Sequence, residues 1–391
     1  MGAGIAQVAA ANGWSVLLMD ADESAAHRAI ESIGQRFDRK VAKGKLTGEQ
    51  RAAVMDRLQV AADSSSLADC SLIIEAVIED LDVKVAVFDD LKAQVRDDCI
   101  LASNTSSLSI AEMGKRLGIA ERFVGMHFFN PVPVLPLVEI VSGPKTSSET
   151  ADKVAEIGRA WGKTVVRCKD TPGFIVNRVA RGYYLESLRL LGEGVASIDE
   201  IDATMKRMGA FRMGPFELMD LVGIDINYTV SCSVYEQMGR PARLKPHPIQ
   251  AGLFERKQFG RKSGRGFYVY DDAGSLPAVT TDRADVNIAP AVWEIVRVFA
   301  ARAAQDAGSQ TEQYIFARVL AAIINEACLA LDDGIATSGD IDLAMKTGTN
   351  YPKGPMEWVD AIGFRLCRTV LDRLNTESGD GRFTPAAMLG T

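Results

Sequence analysis

The stretch GMHFFNPVPVLPLVE, Gly125–Glu139, decides how the rest of the chain is read. Two apolar, strand-like runs flank a hinge with prolines at 131, 133 and 136. One run carries His127, one of three histidines in the chain, and the other carries Glu139 twelve residues later. Imidazole is the side chain best suited to exchange protons near neutral pH. A carboxylate brought back beside it would fix its tautomer and raise its basicity. Taken alone, the segment also fits a buried structural histidine and a surface acid, so the flanking sequence has to decide.

Working outward, the chain has 391 residues, 47% hydrophobic and 24% charged, enough for two or three domains. A net charge of -7 and a pI near 5.3 argue against nucleic acid as a partner. Cysteines at 70, 99, 168, 232, 328 and 367 form no C-x-x-C pair, so neither a metal site nor a disulfide framework is expected. A reduced, cytoplasmic protein fits. No apolar run approaches the ~18 residues of a membrane span, and the N-terminus lacks the pattern of a signal peptide. No membrane partner is expected.

On the N-terminal side, MGAGIAQVAAANG places small residues at helical spacing up to Gly13, and WSVLLMD (Trp14–Asp20) is an apolar run closed by an acid. The two read as the helix and second strand of a dinucleotide-binding unit. Asp20 follows Gly2 by eighteen residues, about where an acid meets the adenosine ribose hydroxyls. It would repel a 2′-phosphate, which favours NAD over NADP. The fingerprint G-x-G-x-x-G needs a strand before it, whereas this chain starts inside the motif, with Gly2 as its last glycine. It reads as a sequence begun at an internal methionine. The preceding strand is central in this sheet order, so two strands are expected to lack their common neighbour.

Residues 22 to 58 read as two helices, with Arg36, Arg39, Lys40, Lys43 and Lys45 clustered at their junction. That cluster is either a solvated face or a phosphate-binding patch for a large anionic substrate. Leu72 to Val77 is a continuous apolar strand of the buried parallel kind, followed by Glu79 and a helix from about Asp82 to Val95 carrying Lys84. Cys99 to Thr105 is a further strand, ending in SNTSS. Ligands of open parallel sheets bind beyond the carboxyl ends of the strands, which places Glu79, Lys84 and residues 103–107 for contact. Phe123–Phe129 and Leu137–Val141 are the next strands. A helix over Ser147–Trp161 and a strand over Thr164–Cys168 close the domain.

On the C-terminal side, Thr171-Pro172-Gly173 is expected to start a long helix, with threonine as N-cap and proline at its first position. From here the chain repeats itself: Phe174–Gly223 aligns without gaps to Tyr314–Gly363, offset by 140 residues. Arg178 matches Arg318, Glu186 matches Glu326 and Gly194 matches Gly334, among many others, which indicates a duplicated helical domain. Asn177 corresponds to Ala317, so a polar amide kept in one copy is lost in the other. Between the copies, KSGRGFYVY (Lys262–Tyr270) is a glycine turn feeding an aromatic strand, and residues 272–311 read as a polar, alanine-rich connection.

Together the stretches MGAGIAQ, ASNTSSLSI, GMHFFNPVPVLPLVEI, KDTPGFIVNR, GPFELMDLVG and FGRKSGRGFYVY resemble the 3-hydroxyacyl-CoA dehydrogenase family. The second copy, with GTNYPKGPMEW, is similar to a longer subgroup acting on 3-hydroxybutyryl-CoA or 3-hydroxyadipyl-CoA. The resemblance implies an α/β Rossmann-type NAD-binding domain over residues 1–170, lacking its first strand, followed by two tandem all-α helical domains. The first, over 171–271, serves substrate binding and dimerisation, and the second occupies 312–391. It implies NAD-dependent oxidation of an L-3-hydroxyacyl-CoA by a homodimer. His127 would be the base and Glu139 its partner, with Ser106 and Asn177 holding the substrate oxygen and the nicotinamide end. Gly2, Asp20, Glu79, Lys84, Ser106, Asn130 and Lys262 match positions that contact NAD, and Lys40 and Lys43 are candidates for CoA. A second reading is a non-catalytic relic or binding protein of the same fold that has lost NAD binding with its first strand. A dehydrogenase of free 3-hydroxyacids would instead place a lysine on the long helix, where this chain has Asn177.

Overall fold

In the computed structural model, which describes residues 1–271, 274–284 and 288–390, the small residues of Gly2–Ala11 form helix α1. Its Ile5, Val8 and Ala9 pack into the core of the first unit. The chain divides into two compact units, Met1–Thr171 and the part from Pro172 onward.

In the first unit, α1 leads to β1 (Val16–Leu18), α2 (Glu23–Ala42) and α3 (Gly48–Met55). Asp22 caps α2, and a Thr47/Gln50 capping box starts α3. Then come β2 (Leu58–Val60), β3 (Leu72–Glu75), α4 (Leu81–Gln94), β4 (Ile100–Ser103), α5 (Ile110–Leu117), β5 (Phe123–Phe128), β6 (Leu137–Ser142), α6 (Ser148–Ala160) and β7 (Thr164–Lys169). β1 and β2 pair in parallel as a two-stranded sheet, while the other five form a separate sheet in the order β3-β4-β5-β6-β7. All neighbours there run parallel except β5 and β6. Among the described residues, β1 and β3 are thus edges of different sheets with no strand bonded to both. Every residue of β5 is buried, which is why its sequence is apolar throughout rather than alternating.

The second unit corrects two expectations. Gly173 and Phe174 both have positive φ, 78° and 47°, which a right-handed helix cannot contain. Pro172 therefore lies in a turn, and the helix starts at α7 (Val176–Val179), running on through the helical Ala180 into α8 (Arg181–Gly192). There follow α9 (Ile198–Gly209), α10 (Pro215–Val222), α11 (Ile224–Gln237) and α12 (Pro248–Glu255), with an antiparallel ribbon of β8 (Tyr268–Asp271) and β9 (Gly274–Pro277). Residues 272–311, read as a connection, contain α13 (Pro290–Ala303), whose Val292, Val296, Phe299 and Ala300 form a buried stripe at helical spacing. Residues 272, 273 and 285–287 of that stretch, and Thr391 at the end of the second copy, lie outside the described residues.

The second copy then repeats the first: α14 (Gln310–Asp332), α15 (Ser338–Gly348), α16 (Pro355–Ile362) and α17 (Phe364–Ser378) stand for α7–α8, α9, α10 and α11. Contrary to the expectation of no long apolar run, α14 has the length and mean hydropathy (1.7) of a membrane span, but 83% of that window is buried inside the structure. It is the central core helix of the unit.

α8 and α14 pack with Gly182 at their crossing, where a Cβ would lie 2.8 Å from the backbone of Ala322, its own counterpart in the repeat. The buried charges around the crossing are reciprocal. Arg178 pairs with Glu326 (2.6 Å) and Asp333 (2.7 Å), and Arg318 pairs with Glu186 (2.7 Å) and Glu193 (2.5 Å). Each contact has its image 140 residues away, so the copies are related by a local two-fold axis through the crossing.

Candidate active site

His127 and Glu139 stand directly opposite each other in the antiparallel β5–β6 pair. Cross-strand neighbours on one face are close enough for their side chains to touch, and Nδ1 of His127 lies 2.7 Å from Oε2 of Glu139. The twelve-residue spacing is thus the length of one hairpin. Both side chains are buried, at 7% and 0% exposure, so the pair is shielded from water. An ionised carboxylate only accepts hydrogen bonds. It therefore holds the proton on Nδ1 and puts the basic lone pair on Nε2.

A second buried cluster closes the carboxyl ends of β3 and β4. Glu75, at the end of β3, accepts from the ammonium of Lys84 (2.6 Å), the hydroxyl of Ser103 (2.6 Å) and the amide of Val77 (2.7 Å). Lys84 also pairs with Glu79 at 3.2 Å. Glu79 in turn accepts from the Thr105 hydroxyl (2.6 Å) and the backbone amides of Ser106 (2.9 Å) and Ser107 (3.2 Å). Burial pushes the Glu79 carboxyl up, but the Thr105 hydroxyl, the Lys84 charge and the Ser106 amide outweigh it and hold the group below its ordinary value. The SNTSS loop is therefore shaped around a carboxylate, with Ser106 half-buried at its turn. Asn104 ties the same loop to β5 by accepting from the amide of Phe128 (2.9 Å), next to His127.

This arrangement corrects one expectation. Lys84 was read as a cofactor contact, yet its side chain is 1% exposed and enclosed by the two glutamates, at 2.6 Å from Glu75 and 3.2 Å from Glu79. Glu75, which residue type and spacing did not single out, holds Lys84 and Ser103, whereas Asn104 lies within the 103–107 stretch already read as placed for contact. The signal for Glu75 was present: an acid inside the apolar run SLIIEAV has to be paired if it is buried.

The remaining candidates are placed as follows. Asp20 is exposed just beyond β1 and accepts from the amide of Asp22 (3.0 Å). Asn130 is exposed beyond β5. Lys40, over the ring of Phe37, and Lys43, at the C-terminal cap of α2, are both exposed. In the second unit, Asn177 is half-buried on α7, and Lys262 pairs with Asp225 at 2.6 Å. A dinucleotide fits the residues of the first unit. The first turn of α1 carries neither a capping side chain nor an acid, the condition under which a helix N-terminus takes an anion. A Cβ on Gly2 would meet only Ala76, at 3.9 Å, so the approach is uncrowded.

Comparison with known proteins settles the family. Residues 1–171 match the family described as 3-hydroxyacyl-CoA dehydrogenase, NAD binding domain, and residues 173–270 and 314–391 match its C-terminal domain. The chain belongs to the 3-hydroxyacyl-CoA dehydrogenase family. It is 37% identical to 3-hydroxyadipyl-CoA dehydrogenase of Escherichia coli, covering 100% of this chain and 94% of that protein. The crystal structure of 3-hydroxybutyryl-CoA dehydrogenase from Escherichia coli superposes with a TM-score of 0.88 at 36% identity, covering 100% of this chain and 95% of that one. The human mitochondrial hydroxyacyl-coenzyme A dehydrogenase is 40% identical over 69% of this chain and 88% of its own length. These 3-hydroxyacyl-CoA dehydrogenases are NAD-dependent oxidoreductases, and the match of the whole first unit to the NAD-binding domain favours the catalytic reading over a relic without cofactor.

Proposed function

We propose that the enzyme reversibly oxidises the C3 hydroxyl of an L-3-hydroxyacyl-CoA. Its substrates are 3-hydroxybutyryl-CoA or 3-hydroxyadipyl-CoA, for which two of its relatives are named, and it works in fatty-acid or aromatic catabolism. The observation that carries this reading is the buried His127–Glu139 pair at 2.7 Å. NAD, when bound, accepts the hydride released from C3. The protein's part is to move one proton and to hold the reacting oxygen. His127 takes the hydroxyl proton at Nε2, and Glu139 stays ionised to oppose the imidazolium charge that forms. Ser106 and Asn177 donate to the C3 oxygen and the nicotinamide end, charge stabilisation that counts most where water is excluded. Gly2 at the start of α1 faces the pyrophosphate and Asp20 accepts from the ribose hydroxyls. Glu79, Asn130 and Lys262 hold the rest of the cofactor, Lys84 assists through Glu79, and Lys40 and Lys43 take CoA phosphates.

The free thiol state of all six cysteines suits a reducing cytoplasm. Homodimerisation belongs to the same reading, through a surface other than the α8–α14 crossing, which the two copies already fill. A positioned base contributes ~10²–10⁴-fold in rate. His127→Gln is therefore expected to lose turnover by at least that factor while NADH, followed by fluorescence, binds as before. Near-wild-type turnover in that variant would remove the assignment.

A further inference from the structure

Arg181 is a buried cation, 3% exposed, for which none of the described residues supplies a carboxylate. Its Nη1 donates to the carbonyl of Asn227 (3.0 Å) and the hydroxyl of Ser231 (2.7 Å), both on α11. Its guanidinium lies 4.9 Å from the ring centroid of Tyr184. The Nε–Nη2 edge, the side of the fork that takes a carboxylate through two parallel bonds, carries no hydrogen bond, and Nε is fully buried. A second donor nearby is in the same condition: the hydroxyl of Tyr351, close enough to Arg181 for each to perturb the other's ionisation, is buried without a partner. Buried donors left unpaired cost free energy, and an unpaired buried charge costs more.

The internal repeat shows that the fold does not need this arrangement. At the same 140-residue offset, Arg181, Asn227 and Ser231 become Ala321, Cys367 and Leu371, all buried in an apolar setting. By contrast Arg178, which has acid partners, recurs as Arg318 with acid partners of its own. Arg181 instead shares the history of Asn177, which the second copy also replaces with alanine. The two are four residues apart on one helical run, hence on the same face and about 6 Å apart along the axis.

We propose that Arg181 is a specificity-determining residue that receives the distal carboxylate of a dicarboxylic 3-hydroxyacyl-CoA, with the Tyr351 hydroxyl as second donor. The proposal rests on the dehydrogenase reading above, in which Asn177 meets the C3 oxygen. In a six-carbon diacid the terminal carboxylate is three carbon–carbon bonds beyond C3, a span of the same order as one helical turn. Arg181 is thus set where the tail ends, and its charge selects for the acid.

The test compares 3-hydroxyadipyl-CoA with 3-hydroxyhexanoyl-CoA, equal in chain length and different in tail charge. Wild-type kcat/KM is expected to favour the diacid. Arg181→Met keeps the volume and removes the charge. It should lower kcat/KM for the diacid by ~10²–10³-fold, leave the hexanoyl substrate within about threefold, and leave NADH affinity unchanged. Arg181→Lys, which keeps the charge without the fork, should show an intermediate loss confined to the diacid. An equal loss on both substrates would make Arg181 a merely structural residue and overturn the proposal. So would a wild-type enzyme indifferent to the tail carboxylate, a result that stands even if the methionine variant fails to fold. If wild type oxidised neither substrate, the parent reading would fall and this proposal with it.

Discussion

In both helical copies an arginine and a glutamate one helical face apart are buried at the α8–α14 crossing, and each copy's arginine is answered by the other copy's glutamate. On the same helix, Asn177 and Arg181 of the first copy correspond to Ala317 and Ala321 in the second. The same scaffold has thus kept one kind of polar residue twice and another kind once. The pair of Arg178 with Glu326 and its image, Arg318 with Glu186, hold the copies together. On the proposed reading, Asn177 and Arg181 serve what only the first copy does. Buried charge alone would not separate the two classes; the presence or absence of an acid partner does.

The largest effect on that comparison should come from breaking a reciprocal pair. Glu326→Ala takes the buried carboxylate from Arg178, leaving it Asp333 alone, and from Arg243, and losing one partner of a buried pair costs about 3–5 kcal/mol. Glu186→Ala, its image, should cost a similar amount in urea unfolding, and activity per folded molecule should survive both changes. A large asymmetry between the two variants would show that the local two-fold axis is not energetic. Next, Asn177→Ala makes the first copy resemble the second. It should lower kcat/KM by ~10²–10³-fold, the size of losing one transition-state donor, with no change in thermal midpoint. Ala317→Asn should leave the rate untouched.

A smaller loss is expected from Gly182→Ala, which pushes a methyl into the Ala322 backbone and should cost ~1–3 kcal/mol by overpacking. The smallest effect concerns His247, a feature of the first copy that caps α12 by accepting from the amide of Ile249. Burial, with help from the Arg189 charge, lowers its pKa to about 4. Above the unfolded value near 6.5 the imidazole is neutral in both states and contributes nothing to pH dependence. As pH falls from 6.5 to 4 the unfolded chain takes up a proton that the folded one refuses, so stability declines by at most one proton's linkage. His247→Asn keeps a capping side chain and should flatten that decline, read from urea midpoints at pH 7 and pH 4.5.

Much of the first unit was legible because its signals are local. A hairpin of two apolar runs brings His127 to Glu139 by register alone, and the strand-end SNTSS places Ser106 by topology. The repeat was legible because its copies align without gaps. What was not legible depended on packing or on backbone dihedrals. β2 is only three residues long, too short for periodicity to register. The helix beginning at Val176 is delayed by the positive φ of Phe174, a conformation that an ordinary aromatic residue does not announce. α13 was hidden by an alanine-rich composition that suits a linker as well as a helix. Lys84 looked like a ligand contact because its enclosure by Glu75 and Glu79 exists only once β3 and α4 are folded together.

The central claim is that the protein transfers hydride from C3 of a hydroxyacyl-CoA to NAD under proton control by His127. The most direct measurement is a single turnover with (3S)-3-hydroxybutyryl-CoA carrying deuterium at C3, followed by mass spectrometry of the nucleotide. The expected result is deuterium in the reduced nucleotide, one equivalent for each 3-oxoacyl-CoA formed, with neither product from His127→Gln. Reduced nucleotide without deuterium, or oxoacyl-CoA formed without reduced nucleotide, would contradict it.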